Sequence, residues 1–297
     1  MPSFVDRFIF QPPYPPNYTS CDYPAELCLL NDVVCLGLPN YVASSHVLIF
    51  FHGNAEDLGN VYNLMKLFRD RLGIHIIALE YPGYGISYSK PSTDSINDAA
   101  NQVFSYVHQK LCWPSNRIII CGRSIGTGPA TKLAAEKEVA ALLLVSPYRC
   151  LKSVAQNMAG CLGAMAVSTR WNTQETVKHV RCPTLFLHGR EDNIIPSHHS
   201  EILYNECQAS ASVKRLRIID GLGHNEMNWP FLIQCMKEFL TNSVLNSGLE
   251  KRPLILHDAF FQEFPSLIEP GKAEAACNRC WYITMYSSCI QRLFNSR

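Results

Sequence analysis

The sequence lacks an excess of charge of either sign, and it lacks any long hydrophobic run. Its 26 Lys and Arg residues are balanced by 25 Asp and Glu residues, which leaves a formal net charge of +1. No nucleic-acid partner is therefore predicted, because binding to a phosphate backbone depends on concentrated positive charge. No window reaches the run of about 18 apolar residues that a membrane-spanning helix needs. The first 20 residues are Pro-rich and aromatic, so a cytoplasmic protein without signal peptide or transmembrane segment is expected.

Charged residues are scarce, at 17% of the 297 residues, whereas hydrophobic residues make up 47%. This composition excludes intrinsic disorder for most of the chain and predicts a large buried core. The 13 cysteines are scattered, and an odd number argues against a closed disulfide framework. Several stand inside apolar runs, as Cys121 does after three isoleucines. Most of the thiols are therefore predicted to be reduced and buried.

Short β-branched apolar runs alternate with longer segments of helical character from about residue 45 onward. That alternation predicts an α/β fold, with a mostly parallel sheet covered by helices on both faces. The predicted parallel strands cover residues 46–51, 75–81, 117–121, 140–145, 184–187 and 214–219. The predicted helices cover residues 60–71, 94–111, 125–135, 197–206 and 230–244. Residues 25–30 and 33–38 are predicted to add an antiparallel pair at the sheet edge.

The chain divides into three predicted parts. Residues 1–44 form a Pro-rich lead-in with the edge strands, residues 45–245 form the main α/β domain, and residues 246–297 form a C-terminal extension. Within the main domain, residues 148–178 interrupt the alternation with small residues and methionines, which predicts a short helical cap over the strand ends. The extension contains Pro253, Pro265 and Pro270 and is typical of an appended tail.

The strongest motif is Gly122-Arg123-Ser124-Ile125-Gly126, which directly follows an apolar strand and directly precedes a helical segment. A nucleophile elbow requires that context, because its serine stands on a tight turn between strand and helix. The backbone there is strained, and the residues two positions away must be small, which the two glycines satisfy. Ser124 is therefore predicted as a nucleophile. The N–H of Ile125, at the helix start, is predicted as one donor of an oxyanion hole.

A serine hydroxyl needs a base within hydrogen-bond reach and a carboxylate that orients this base. Asp192 follows the fifth predicted parallel strand, and His224 follows the sixth on a glycine-flanked loop. All three side chains then fall beyond the carboxyl ends of strands, where open α/β sheets place their sites. The chain order Ser, Asp, His is the one expected of α/β-hydrolases. Asp192 is preferred as the orienting acid over Glu191 and Asp220.

The second oxyanion donor is expected in the loop that follows the first predicted parallel strand, in His52-Gly53-Asn54-Ala55. The backbone N–H of Asn54 is the preferred donor. The N–H of Ala55 stays an alternative, because a sequence does not fix which amide points inward.

Five motifs together resemble the serine-hydrolase branch of the α/β-hydrolase superfamily that contains α/β-hydrolase domain-containing protein 17. They are His52-Gly53-Asn54-Ala55, Tyr81-Pro82-Gly83-Tyr84-Gly85, Gly122-Arg123-Ser124-Ile125-Gly126-Thr127-Gly128-Pro129, His188-Gly189-Arg190-Glu191-Asp192 and Gly223-His224-Asn225-Glu226. The similarity covers roughly residues 4–245 and implies the α/β-hydrolase fold. It also implies that Ser124 is the nucleophile, Asp192 the orienting acid and His224 the base. Members of the branch are protein depalmitoylases, which cleave fatty thioesters from cysteines of membrane-associated proteins.

Two departures from the pattern of this branch bear on substrate and location. Arg123 stands where the depalmitoylase pattern usually has Gln, and a related branch of hydrolases also carries Arg there. The N-terminal cysteine cluster through which the animal depalmitoylases are lipidated is absent. Contact with a membrane would therefore need another segment.

The C-terminal segment 280–294 is one candidate for peripheral membrane contact. Its apolar residues recur at helical spacing, namely Tyr282, Met285, Tyr286, Cys289, Ile290, Leu293 and Phe294. Such a stripe fits a helix on a membrane surface, with a nearby cysteine acylated and arginines facing anionic lipid. A helix packed on the domain or a mobile tail fits the same pattern, and the sequence does not separate these interpretations.

The function predicted from these residues is that of a serine hydrolase acting on an acylated protein or a lipid-like ester. The resemblance implies protein depalmitoylation. A carboxylesterase, a monoacylglycerol-type lipase and a non-catalytic binding protein of the same fold stay alternatives. No cofactor is expected, and no metal site is predicted, because His198-His199 has no further ligand pattern and the pair Cys277 and Cys280 lacks a second pair.

Overall fold

The computed structural model describes residues 6–157, 170–245 and 248–256. These residues contain one sheet of eight strands, namely β1 Leu27–Leu30, β2 Val33–Leu38, β3 Val47–Phe51, β4 His75–Leu79, β5 Ile118–Arg123, β6 Ala141–Val145, β7 Thr184–Gly189 and β8 Lys214–Ile219. The spatial order is β1-β2-β4-β3-β5-β6-β7-β8. β1 pairs with β2 and β2 with β4 in antiparallel fashion. The remaining pairs, along the order β4-β3-β5-β6-β7-β8, are parallel. The carboxyl ends of the parallel strands therefore meet at one edge.

Helices cover both faces of this sheet. Their bounds are α1 Asp6–Ile9, α2 Leu58–Leu72, α3 Thr93–Ser105, α4 Thr127–Glu136, α5 151–157, α6 Thr173–Val177, α7 His198–Glu206 and α8 Trp229–Ser243. Alternate residues of β3 show the two layers, because side chains along a strand point to opposite faces. Leu48 and Phe50 pack in the core that α2 and α8 cover, and Ile49 and Phe51 pack in the core beneath α3, α4 and α7.

The predicted α/β fold with a mostly parallel sheet is confirmed, as is the antiparallel pair at its edge. The main differences lie at element ends. β5 runs to Arg123 instead of ending at Cys121, because Arg123 still pairs with Val145 of β6. The helix predicted to begin at Ile125 begins at Thr127, after a 3₁₀ turn over Ser124–Gly126. The helix predicted over 94–111 is α-helical only as far as Ser105 and continues as a wider π turn over Tyr106–Lys110.

Parts of the predicted cap and extension are described. Residues 151–157 and α6 are helical, whereas residues 158–169 between them lie outside the described residues. In the extension, Arg252 pairs with Ser44, and Leu254 and Leu256 are buried in the core. Segment 280–294 lies outside the described residues, so its helical stripe stays a prediction. The part boundaries at 44 and 245 also stay predictions.

Nine cysteines fall within the described residues, and all nine are free. Five of them are buried, namely Cys28, Cys35, Cys121, Cys207 and Cys235. Burial raises the pKa of Cys28 and of Cys182 to about 12, which keeps these two thiols protonated and unreactive at neutral pH. Among the described helices, none combines the length and the apolar character needed to cross a bilayer.

Candidate active site

The three residues predicted as nucleophile, acid and base meet at the carboxyl edge of the sheet. Ser124 follows β5 directly, Asp192 lies in the loop after β7, and His224 lies in the loop after β8. The hydroxyl Oγ of Ser124 lies 2.9 Å from Nε2 of His224, and Nδ1 of His224 lies 2.7 Å from Oδ2 of Asp192. All three residues are at most 8% exposed. The result is a continuous and almost fully buried chain of hydrogen bonds from the hydroxyl of Ser124 to the carboxylate of Asp192.

Ser124 stands on a strained turn, as the elbow motif predicts. Its φ is +51°, in the left-handed region that costs a residue with a Cβ roughly 1–2 kcal/mol. The flanking glycines allow the turn to close, because a Cβ on Gly122 would lie 2.5 Å from the carbonyl oxygen of Gly126. Ile125 is the second residue of the 3₁₀ turn Ser124–Gly126 that leads into α4. The first N–H groups of such a turn have no partner within it, so the Ile125 amide is suited to an external acceptor.

Asp192 is the carboxylate that the fold brings to His224. Its oxygen Oδ1 accepts the backbone N–H groups of Ile194 at 3.0 Å and Ile195 at 2.7 Å. Burial by itself would raise the pKa of Asp192, but the hydrogen bonds from His188 and His224 outweigh burial and lower that pKa below its ordinary value. The carboxylate therefore stays ionised at neutral pH. The two alternative acids named from the sequence do not replace Asp192, since Glu191 is exposed and Asp220 pairs with Arg190 at the surface.

His188 is a second histidine at this carboxylate, and its role there is not predicted from the sequence. Its Nε2 lies 3.2 Å from Oδ2 of Asp192 and 2.7 Å from the carbonyl oxygen of Ile195. Because both neighbours of Nε2 are acceptors, that nitrogen carries a proton, and Nδ1 is hydrogen-bonded to the hydroxyl of Ser200 at 2.7 Å. The only local signal was the position of His188 four residues before Asp192, at the end of a strand.

The loop 52–55 that is predicted to carry the second oxyanion donor lies beside the elbow. A Cβ on Gly126 would lie 2.6 Å from the carbonyl oxygen of His52. The side chain of Asn54 is held by the lead-in and by Tyr84. Its Oδ1 accepts from the N–H of Gln11 at 3.1 Å and from Tyr84 Oη at 2.7 Å, and its Nδ2 donates to the carbonyl of Ile9. The side chain of Asn54 is thus occupied, and only its backbone N–H is a candidate oxyanion donor.

Beneath this loop lies a buried ion pair that is not predicted from the sequence. His52 Nε2 lies 3.0 Å from Oε1 of Glu80, and neither side chain is exposed. His52 Nδ1 lies 2.9 Å from the carbonyl oxygen of Gly53. The second carboxylate oxygen of Glu80 accepts from Tyr18 Oη at 2.7 Å and from the N–H of Leu58 at 3.1 Å. Every face of the pair is therefore hydrogen-bonded, as a buried charge requires.

Arg123 and Glu56 form a second ion pair at the loop, on the side of His224. Glu56 Oε2 accepts the backbone N–H of Gly53 at 2.7 Å. Nη2 of Arg123 donates to the carbonyl oxygen of His224 at 3.2 Å and to Oδ1 of Asn225 at 3.3 Å. In the sequence, Arg123 stands out only as a departure from a family pattern, and no local signal marks Glu56.

Comparison with families and curated proteins agrees with the fold. A family model described as "alpha/beta hydrolase fold" matches residues 46–162. The α/β hydrolase domain-containing protein aho-3 of Caenorhabditis elegans is 32% identical over 203 residues, which is 66% of this chain and 58% of that protein. The α/β hydrolase domain-containing protein 17C of Mus musculus is 28% identical over 221 residues, 73% of this chain and 66% of that protein. The chain thus spans less than two thirds of the length of these two relatives.

Solved structures share the architecture at lower sequence identity. An esterase from Pyrococcus furiosus superposes with a TM-score of 0.62 at 18% identity, over 78% of this chain and 99% of that one. A monoacylglycerol lipase from Paleococcus ferrophilus superposes with a TM-score of 0.56 at 14% identity, over 71% of this chain and 99% of that one. At such identities the likeness concerns the fold alone. Taken with the parallel sheet, it shows that the chain has the α/β-hydrolase fold, and the curated relatives show that its sequence is similar to the branch containing α/β-hydrolase domain-containing protein 17.

Proposed function

We propose that this protein is a serine hydrolase that cleaves acyl thioesters or esters through an acyl-enzyme, with Ser124 as nucleophile, His224 as base and Asp192 as orienting acid. The observation that carries the proposal is the hydrogen-bonded line from Ser124 Oγ through His224 to Asp192, with links of 2.9 and 2.7 Å. A hydroxyl at its ordinary pKa is a poor nucleophile, and a neighbouring imidazole held by a carboxylate supplies the missing base.

In the acylation step, His224 Nε2 takes the proton of Ser124 while Oγ bonds to the carbonyl carbon of the substrate. The resulting oxyanion accepts hydrogen bonds from the N–H groups of Ile125 and Asn54, with Ala55 as the alternative to Asn54. His224 then gives its proton to the leaving sulfur or oxygen as the bond to carbon breaks. Asp192 remains ionised throughout and stabilises the imidazolium that forms on His224.

In the deacylation step, water replaces the leaving group. His224 takes a proton from water as its oxygen bonds to the acyl carbon, and the same amides bind the second oxyanion. His224 then returns the proton to Ser124 Oγ as the acyl bond breaks, which releases the fatty acid and restores the free enzyme. No group outside this set of residues is needed for the proton balance.

The substrate class we propose is a long-chain acyl group on a protein cysteine. Its support is the resemblance to the branch that contains α/β-hydrolase domain-containing protein 17, to which the curated relatives also belong by name. A thioester suits this site chemically, because a cysteine thiol has a pKa of about 8.5 and leaves more readily than an alcohol. The same residues would also cleave an oxyester, so a carboxylesterase or a monoacylglycerol-type lipase is the second candidate.

Labelling with a fluorophosphonate probe tests the nucleophile. The wild-type protein should label covalently and the Ser124→Ala variant should not. Ser146→Ala is a matched control, because Ser146 also follows a strand, is buried and has a positive φ of +49°, yet its Oγ has no hydrogen-bond partner among the described residues. This control should label like wild type. An unlabelled wild-type protein would favour the non-catalytic binding protein instead.

Two peptides of identical sequence test the substrate class, one with a palmitoyl group on cysteine and one with it on serine. A depalmitoylase should show the higher kcat/KM on the S-palmitoyl peptide and a low value on a monoacylglycerol. Faster turnover of the monoacylglycerol or of a short-chain ester than of both peptides would replace the depalmitoylase assignment with the lipase or carboxylesterase. The Ser124→Ala variant measures the uncatalysed background for each substrate.

A further inference from the structure

Arg123 joins the two loops that flank the nucleophile. Its side chain is only 9% exposed, and one end of the guanidinium, Nη1, pairs with Oε1 of Glu56 beside the loop of residues 52–55, here called the oxyanion loop. The other end, Nη2, donates to the backbone carbonyl of His224 and to Oδ1 of Asn225. Arg123 itself immediately precedes Ser124 at the end of β5. One side chain therefore contacts the loop of the base and the loop of the oxyanion donors from a backbone position next to the nucleophile.

The contact with the oxyanion loop is close enough to restrict its backbone. Glu56 Oε2 accepts the N–H of Gly53 at 2.7 Å. A Cβ on Gly53 would lie 2.8 Å from that same oxygen and 2.9 Å from Nη1 of Arg123, so the ion pair packs directly on the Gly53 backbone. Gly53 immediately precedes Asn54, whose amide is the preferred second donor. A shift of the ion pair would therefore move the peptide that carries this donor.

The planar guanidinium is suited to such a link, because it presents several N–H donors in a fixed fork, whereas a lysine ammonium is a point charge on a flexible stem. The fold keeps Arg123 in this position at some cost. Its Nε is buried and has no hydrogen-bond partner among the described residues, although buried donors are nearly always paired. The ring of Trp229 lies 5.9 Å from the guanidinium carbon and completes its surroundings.

We propose, on the basis of the serine-hydrolase function proposed above, that Arg123 is a positioning residue that fixes the oxyanion loop relative to the loop of His224. Its ion pair with Glu56 holds the Gly53–Asn54 peptide, and its bond to the His224 carbonyl holds the base. The reaction needs the Gly53–Asn54 peptide and the base in place at the same time. The amides must donate to the oxyanion while the imidazole is hydrogen-bonded to the Ser124 hydroxyl. Arg123 touches neither substrate nor reacting atoms in this account.

The test uses the full-length protein and five variants: Arg123→Gln, Arg123→Lys, Glu56→Gln, the Arg123→Gln/Glu56→Gln double variant and the control Arg190→Gln. Arg190 also pairs with a carboxylate near the site, Asp220, but that pair is exposed and does not touch the oxyanion loop. The measurements are the second-order rate of fluorophosphonate labelling, kcat and KM on a p-nitrophenyl ester, and the circular-dichroism melting curve of each variant.

We expect Arg123→Gln and Glu56→Gln each to lower the labelling rate and kcat by about 10- to 100-fold. This decrease is no larger than the one caused by removing an oxyanion donor. KM should stay unchanged, because neither side chain contacts the substrate. The double variant should be no slower than the slower single variant, since both singles break the same link. Arg123→Lys should recover only part of the rate, and Arg190→Gln should match wild type.

Wild-type rates in a folded Arg123→Gln variant, additive losses in the double variant, or full recovery by Arg123→Lys would each overturn the positioning role. If Arg123→Gln does not fold, Glu56→Gln decides the matter, because its side chain is 25% exposed and less critical for packing. Absence of labelling in the wild-type protein would instead refute the proposed function. The two failures are therefore distinguishable.

Discussion

His188 Nε2 lies 3.2 Å from the same carboxylate oxygen of Asp192 that receives the hydrogen bond of His224 Nδ1. The side chains of His188 and Asp192 are fully buried. Two imidazoles thus converge on one oxygen, while the other oxygen accepts two backbone N–H groups. A carboxylate with four donors around it has little freedom to rotate, and it keeps its charge because each donor stabilises the ionised form. His188 therefore helps to hold the carboxylate of Asp192, the residue proposed above to orient the base.

Replacing His188 by leucine should lower both stability and activity. The carbonyl of Ile195 and the hydroxyl of Ser200 lose their buried partner, which costs about 1–3 kcal/mol in the free energy of unfolding measured by urea titration. Asp192 also loses one of its donors, so kcat should fall. The control His199→Leu removes a neighbouring buried histidine whose hydrogen bonds go to Arg149 and Asn157 and not to Asp192, so it should lower stability with little effect on kcat. Equal kcat values in wild type and His188→Leu would show that His188 does not support the acid.

Asp192 should make stability depend on pH in the acid range. Its pKa is lower in the folded protein than the ordinary value of about 3.9. A depressed folded pKa means that the stabilisation is complete above the unfolded value and is lost as pH falls from there toward the folded value. Urea unfolding at pH 5, 4 and 3 should therefore show the advantage of wild type over Asp192→Asn shrinking as pH falls. An advantage that stays constant over this range would contradict the role of the ionised carboxylate.

The residues that meet at the sheet edge were predictable because each carries a local signal. Ser124 has an elbow motif between strand and helix, and Asp192 and His224 follow apolar strands whose parallel pairing brings their ends together. The fold was predictable for the same reason, since hydrophobic periodicity marks strands and helices. Element ends were less predictable. β5 continues to Arg123 because of its register with β6, and register depends on a neighbouring strand that the local sequence does not contain.

The glutamates that support the site, Glu56 and Glu80, carry no comparable local signal in the sequence. Glu56 lies 67 positions from Arg123 in sequence, and Glu80 lies 62 positions from Tyr18. Each pair forms only after the sheet has brought its members together, and a single sequence offers nothing to distinguish these glutamates from solvated ones. The conformation of Ala55, with a positive φ of +56°, was equally hidden, because alanine does not indicate left-handed backbone in the way that glycine does.

Gly126 should tolerate no side chain. A Cβ there would lie 2.6 Å from the carbonyl oxygen of His52 and would also strike that of Phe51, and neither backbone group yields easily. Gly126→Ala should cost about 3 kcal/mol in the free energy of unfolding, near the upper end of overpacking effects, and should slow fluorophosphonate labelling. Gly73→Ala is the control. Gly73 has φ +68° but nothing within 4 Å of a Cβ, so strain alone should cost about 1 kcal/mol and leave labelling unchanged. Equal losses in the two variants would contradict the close approach of elbow and oxyanion loop.

The buried pair of His52 and Glu80 should make the protein less stable at alkaline pH. Burial would lower the pKa of His52, but the carboxylate of Glu80 and the carbonyl of Gly53 outweigh burial and raise that pKa above its ordinary value of about 6.5. A raised folded pKa means that the stabilisation is complete below the unfolded value and is lost as pH rises through the folded value. Breaking a buried pair costs about 3–5 kcal/mol, so Glu80→Gln should be destabilised strongly near pH 6.

The advantage of wild type over Glu80→Gln should then shrink as pH rises above about 6.5, because wild type loses the His52 proton as pH passes through its raised folded pKa while the variant has no carboxylate to retain that proton. Urea unfolding at pH 6, 7.5 and 9 measures the difference. Glu238→Gln is the control, since Glu238 pairs with Arg217 at the surface with about half of each side chain exposed, and its effect should be small and independent of pH. A Glu80→Gln deficit that is the same at every pH would mean that His52 is neutral in the folded protein. The oxyanion loop would then rest on a hydrogen bond between neutral histidine and glutamate, without a buried charge beneath it.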